Sequence, residues 1–194
     1  MSSAVRLSLT CKRTHRANAN VYVRTAERSP MKLWKKIVLA LAVVLVLLQF
    51  FRPEKNAGGS SAHNIAQQFT VPSGVQTILQ RSCYNCHSNN TVYPWYEEVQ
   101  PVGWFLAKHI RDGKRGLNFD EYTTYRLMKQ YRRFQDIIDK VDSDEMPLPS
   151  YLIIHRGAQL SPSQKEELIQ WCTAMRDSMK VRFPADSLVR KPQR

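Results

Sequence analysis

Cys83-Tyr84-Asn85-Cys86-His87, set between Ser82 and Ser88, is the stretch on which the reading of this chain turns. Two thiols stand three positions apart, and an imidazole follows the second directly. That spacing lets two sulfurs bond to one flat group while the neighbouring imidazole is carried beneath its centre. Val75, Ile78 and Leu79 fall at helical spacing after Ser73, so a helix is expected to lead into the cysteines.

A C-x-x-C-H run is the attachment pattern of c-type haem: the thiols add to the two vinyl groups, and the histidine takes the iron. The expected cofactor is therefore one covalent haem c on Cys83 and Cys86, with His87 as proximal iron ligand. Three other uses of the same residues have to be weighed. A thioredoxin-like dithiol would sit at a strand-to-helix turn in a βαβ pattern, and no such strands flank this segment. Zinc would recruit Cys83 and Cys86 with His109 or His155, but no second close pair of ligands exists in the sequence. Zinc and a plain disulfide stay as the lesser readings, and haem is favoured on the completeness of the motif and its compartment.

Outward from the motif, the pattern stays helical and an all-α fold is expected. Pro101 to Asp112 reads as a second helix closed by Gly113. Asn118 with Glu121 resembles a capping box opening a helix through Arg133 and on toward Val141. Ser161-Pro162-Ser163-Gln164 combines an N-cap serine, proline at the first helical position and glutamine at the third. From there Leu168, Trp171, Cys172, Met175 and Met179 line one face, with Cys172 a small buried hydrophobe. The folded domain is expected over residues 64–184, with residues 185–194 a C-terminal tail. Trp95, Tyr96, Trp104 and Trp171 are candidates to line a haem crevice as well as to build core. Arg126, Lys129, Arg132 and Arg133 read as a solvated helix face.

The net charge of +13 would suggest a nucleic-acid binder if it were spread over the chain. It is not. Nine of the 29 basic residues precede residue 37 against one acid, Glu27, so the excess reads as membrane topology and no nucleic acid is expected. Ile37 to Phe51 is apolar except for Gln49, and with Leu33 and Trp34 the run covers residues 33–51. This is close to the roughly 20 residues a spanning helix needs. Lys35 and Lys36 shorten the apolar span without forbidding it, because their charged ends can snorkel to the interface. The expectation is a single-pass inner-membrane anchor over 33–51, with the following domain facing the periplasm. A cleaved signal peptide is the rival, disfavoured because Arg52-Pro53-Glu54-Lys55 precedes any small-residue site. Residues 1–32 read as a basic cytosolic tail, with Met31 as an alternative start, and Cys11 falls on its side of the membrane. Residues 52–63, rich in Gly, Ser and Ala, read as an unpacked linker.

The sixth iron position has several candidates. Met146 stands in Asp144-Glu145-Met146-Pro147-Leu148-Pro149, an irregular loop stiffened by two prolines, where a methionine has no helical face to serve. His155 and His109 remain alternatives. The order of a Met-Pro loop before a terminal capped helix resembles small cytochromes c.

A closer resemblance rests on several elements together. These are Cys83–His87 with Thr91-Val92-Tyr93-Pro94-Trp95-Tyr96; Pro101, Trp104 and His109; Gly113 with Leu117-Asn118-Phe119; and Met146-Pro147 with Tyr151 and His155. Over about residues 66–178 the chain resembles the bacterial haem-binding domain family, typically short anchored or exported proteins with one C-x-x-C-H. Tyr122 stands where that pattern would have tryptophan. The resemblance implies haem binding. With both axial sites filled, a monohaem c-type domain favours single-electron transfer between redox partner proteins over substrate chemistry. A haem sensor or peroxidase would need an open sixth site, and a zinc-held module would need no haem. The oligomeric state is left open.

Overall fold

A computed structural model describes residues 32–59 and 61–189; the basic tail, Met31 and Cys11 lie outside the described residues. The chain divides into two units, Met1–Ala40 and Leu41–Arg194. Among the described residues there is no strand, only one isolated antiparallel bridge between Ala57 and Asn90, so the architecture is all-α as expected.

The apolar run forms helix α1, Leu33–Leu48, and buries none of its residues. It ends at Leu48, short of the expected Phe51, because Gln49 turns away and its side chain accepts from the backbone N–H of Gln100 at 2.8 Å. No helix among the described residues is long and apolar enough to cross a membrane.

Helix α2, Ser73–Ser82, places Val75, Ile78 and Leu79 in the core, as their spacing predicts. Cys83 leaves helical geometry at φ −123°, and a short helix α3, Tyr84–His87, carries the rest of the motif. Helix α4 runs Val102–Gly116, one turn past the expected stop. Gly113 does not end it. Instead a Cβ there would lie 2.7 Å from the Cys86 carbonyl oxygen, so glycine is what lets α3 and α4 touch. Asn118 does cap, accepting from Asp120 N–H, but what it opens is a 3-10 stretch, Phe119–Thr124. The chain then becomes extended at Tyr125 and Arg126 before helix α5, Leu127–Asp142. After the turn at Asp144 (φ 58°) come α6, Pro149–Leu152, and α7, Pro162–Arg182. The Ser161–Gln164 capping box is formed with both hydrogen bonds.

The core lies mainly between α5 and α7, with α2 packed on α7. Phe134 is its centre: its ring meets Phe69 at 5.1 Å, Tyr122 at 5.3 Å and Trp171 at 5.6 Å. The Phe69 and Trp171 rings meet it edge to face, packing that adds to simple area burial. Tyr122 is fully buried, and its hydroxyl donates to the Gln130 carbonyl at 2.8 Å, which satisfies the polar end. Met179 is fully buried while Met175 is only partly so.

Two expected boundaries move. Ala185–Leu188 forms a last helix, α8, packed on α5 with Leu188 in the core, so the domain continues past Pro184. The expected linker is packed in its middle: Asn56 N–H donates to the Tyr93 hydroxyl at 2.6 Å. Its amide donates to Ser88 O and to Thr91 Oγ1, each at 2.9 Å. Composition identified the small residues of this segment but not the asparagine that fastens it.

A cavity behind the C-x-x-C-H turn

Cys83 ends α2 by donating its N–H to Leu79 O, and its own carbonyl accepts from Cys86 N and His87 N at 3.1 and 3.0 Å. One tight turn thus gathers Cys83, Cys86 and His87. Asn85, inside that turn, is held from both ends. Its carbonyl accepts from Thr91 Oγ1 at 2.7 Å, and its amide donates to the Tyr151 hydroxyl at 2.9 Å.

The His87 ring is fixed by α4. Leu117, placed by its own bond to Gly113 O, offers a carbonyl that accepts from His87 Nδ1–H at 2.9 Å. A carbonyl can only accept, so Nδ1 carries the proton and Nε2 keeps its lone pair, the arrangement of a metal-ligating imidazole. Burial also pushes the His87 pKa down, which favours the neutral, ligating form.

These residues line one cavity of about 390 Å³, within the ~300–1,000 Å³ common for cofactor sites. Leu117, Phe119, Ile137, Val141, Leu148 and Leu160 make its apolar wall. Met146 lines the same cavity, fastened by its N–H to Lys140 O at 3.0 Å. Of the two histidines considered beside it, His109 reaches this cavity from α4 and His155 does not. His155 stacks on Tyr151 at 4.2 Å, and its Nε2 shares a 2.5 Å hydrogen bond with the Tyr96 hydroxyl. It supports the Tyr151 wall instead of facing the cavity.

The expected aromatic lining is corrected. None of Trp95, Tyr96, Trp104 and Trp171 lines the cavity. Trp95 is 81% exposed, whereas Trp171 belongs to the core and donates to Thr70 O. Phe119 and Tyr151 take that place. Sequence reading also missed the charged edge. Arg133, taken for a solvated residue, lines the cavity with Asp136 and Lys140. Its guanidinium pairs with Asp136 at 2.5 Å, and its buried Nε has no partner. The signal was available in the helical spacing Arg133, Ile137, Lys140, Val141, which puts a basic edge beside two apolar side chains.

The donor set discriminates between chemistries. Among the described residues Cys83, Cys86 and Cys172 are free thiols. Burial, aided by the neighbouring Cys86, pushes Cys83 up to about 12, and burial raises Cys86 as well. A redox dithiol needs the opposite, a thiol made acidic by its surroundings. Among the described residues no three His, Cys, Asp or Glu side chains come together to hold a metal ion. Two protonated thiols, one neutral imidazole and a thioether around a largely apolar cavity do suit a haem, which brings its own four nitrogen ligands.

The sequence model of the family described as Haem-binding domain matches residues 43–174. No curated protein and no solved structure matches. The match takes in more than half of the chain and contains the whole turn, its cavity walls and Met146, and the chain belongs to the haem-binding domain family.

Proposed function

We propose that this chain is a membrane-anchored, monohaem c-type electron carrier. Cys83 and Cys86 hold one haem through thioethers, His87 is the proximal iron ligand and Met146 the distal one. Residues 33–51 anchor the domain on the outer, periplasmic face of the inner membrane. The observation that carries the reading is the shared cavity of Cys83, Cys86, His87 and Met146, with His87 Nδ1 committed to the Leu117 carbonyl. A bound haem supplies one-electron iron chemistry; the residues of this chain bind it, orient the imidazole and exclude water. The Leu117 carbonyl keeps the ring in the tautomer that ligates through Nε2. The apolar wall keeps the surroundings of low polarity, which disfavours the extra positive charge of the oxidised state. A position filled by Met146 leaves no open site for substrate, which favours electron transfer over catalysis.

His109 gives a second reading of the sixth ligand, since it lines the same cavity. Protein produced with haem-maturation machinery tests the proposal. Haem is expected to stay with the chain through acid–acetone extraction and on a denaturing gel, and the oxidised spectrum to be low-spin. Loss of haem on extraction, or its retention by the double variant Cys83→Ala/Cys86→Ala, would overturn covalent attachment. Ready binding of carbon monoxide by the unmodified reduced protein would assign an open site and a sensor or peroxidase instead.

A further inference from the structure

Helix α1 is apolar over most of its length and has no buried residue. Its 16 residues extend about 24 Å at 1.5 Å per residue, less than the ~30 Å of a bilayer's hydrocarbon core. Just beyond its end lies a second exposed apolar surface: Phe50 is 80% exposed, Phe51 67% and Phe105 58%, with Val99 and Val102 beside them in sequence on the approach to α4. The two regions are fastened together. Gln49 accepts from Gln100 N–H, and the Trp104 indole N–H donates to Phe51 O at 2.6 Å. Arg52 pairs with Glu98.

The geometry points to this face, formed by Phe50, Phe51, Val99, Val102 and Phe105, being a seat on the lipid–water interface of the bilayer. The inference rests on reading residues 33–51 as the anchor. A short apolar helix draws its flanking residues into the interface to relieve the mismatch. Here the flanking residues are two phenylalanines hydrogen-bonded to α4, so the start of α4 is drawn in with them. Aromatic and branched apolar side chains suit that depth. Lys108, three positions after Phe105, is exposed on the same helix face, where it pairs with Asp112 at 2.7 Å. The Phe105 ring packs on His109 at 4.1 Å, and His109 lines the cavity. The seat therefore holds the haem site one helical turn from the membrane surface.

The test uses the full, haem-loaded chain in vesicles of phosphatidylethanolamine and phosphatidylglycerol. Val102→Cys, Phe105→Cys and, for reference, Thr173→Cys, exposed on α7, are made in a Cys11→Ser background and labelled with a benzophenone maleimide. Illumination is expected to give lipid adducts by mass spectrometry at 102 and 105 at roughly tenfold the yield at 173. Equal yields at the three positions would overturn the seat while leaving the anchor intact. Chain-to-chain crosslinks from 102 and 105 in place of lipid adducts would assign the face to a second copy, and also overturn it. Protein that does not float with the vesicles would overturn the anchor reading, and the seat with it.

Discussion

At the scale of single residues, Met146 and His109 both line the cavity and His155 does not, so the proposed sixth ligand lies between the first two. Met146→Ala is expected to abolish the weak methionine-to-iron band in the near red, lower the potential and admit carbon monoxide to the reduced form. His155→Ala is expected to leave the visible spectrum in place. A spectrum that survives Met146→Ala and changes in His109→Ala would identify a bis-histidine iron. Gly113 gives a second expectation. Alanine there would drive a methyl against Cys86 O at 2.7 Å, so Gly113→Ala should separate α3 from α4. Overpacking of this kind costs about 1–3 kcal/mol, measurable by denaturant unfolding, and should reduce haem loading. Cys83, Cys86, His87 and Met146, which the structure brings to one cavity, stood out in sequence because a C-x-x-C-H run and a proline-fixed loop are local signals. Gly113 was misread as a helix stop for the same reason. Its role comes from a neighbour 27 positions away in the chain, which no local pattern encodes.

At the scale of elements, periodicity located helices better than it located their breaks. The capping box at Ser161 opens α7 as read, because every hydrogen bond it needs lies within four residues. Asn118 caps too, but the run it opens stops at Thr124, since Tyr125 turns extended and its hydroxyl accepts from Asn118 N–H at 2.8 Å. The last helix carries a graded prediction. Met179→Ala removes a fully buried side chain and should cost about 2–5 kcal/mol. Met175→Ala, at a partly buried position, should cost clearly less. Equal losses in urea unfolding would show that α7 packs differently. Cys172, on the same face, is fully buried and burial raises its pKa. An unfolded thiol ionises near ~8.5, so above that pH the unfolded chain gives up a proton that the folded one keeps. The contribution of Cys172 to stability is therefore present below that pH and lost as the pH rises. In a haem-loaded Cys11→Ser protein, Ellman's reagent at pH 8 should find this thiol only after denaturant is added.

At the scale of the whole molecule, the domain's two ends were the least legible parts, because both are fastened by contacts remote in sequence. Removing residues 185–194 takes Leu188 out of the core, so truncation after Pro184 is expected to lower the melting temperature, read by circular dichroism. The other end bears on how the proposed carrier would work. Twelve flexible residues between anchor and haem site would give a tether with an end-to-end reach of roughly 20 Å. The domain could then swing between partners above the membrane. Asn56, fixed by Tyr93, Ser88, Thr91 and the Lys114 ammonium, and Lys55, paired with Glu98 at 2.6 Å, take most of that reach away. On the proposed reading such a carrier would not swing. It would meet partners by drifting sideways in the plane of the bilayer, so the search would be two-dimensional, and a membrane-bound partner would have to present its own redox centre at a matching height.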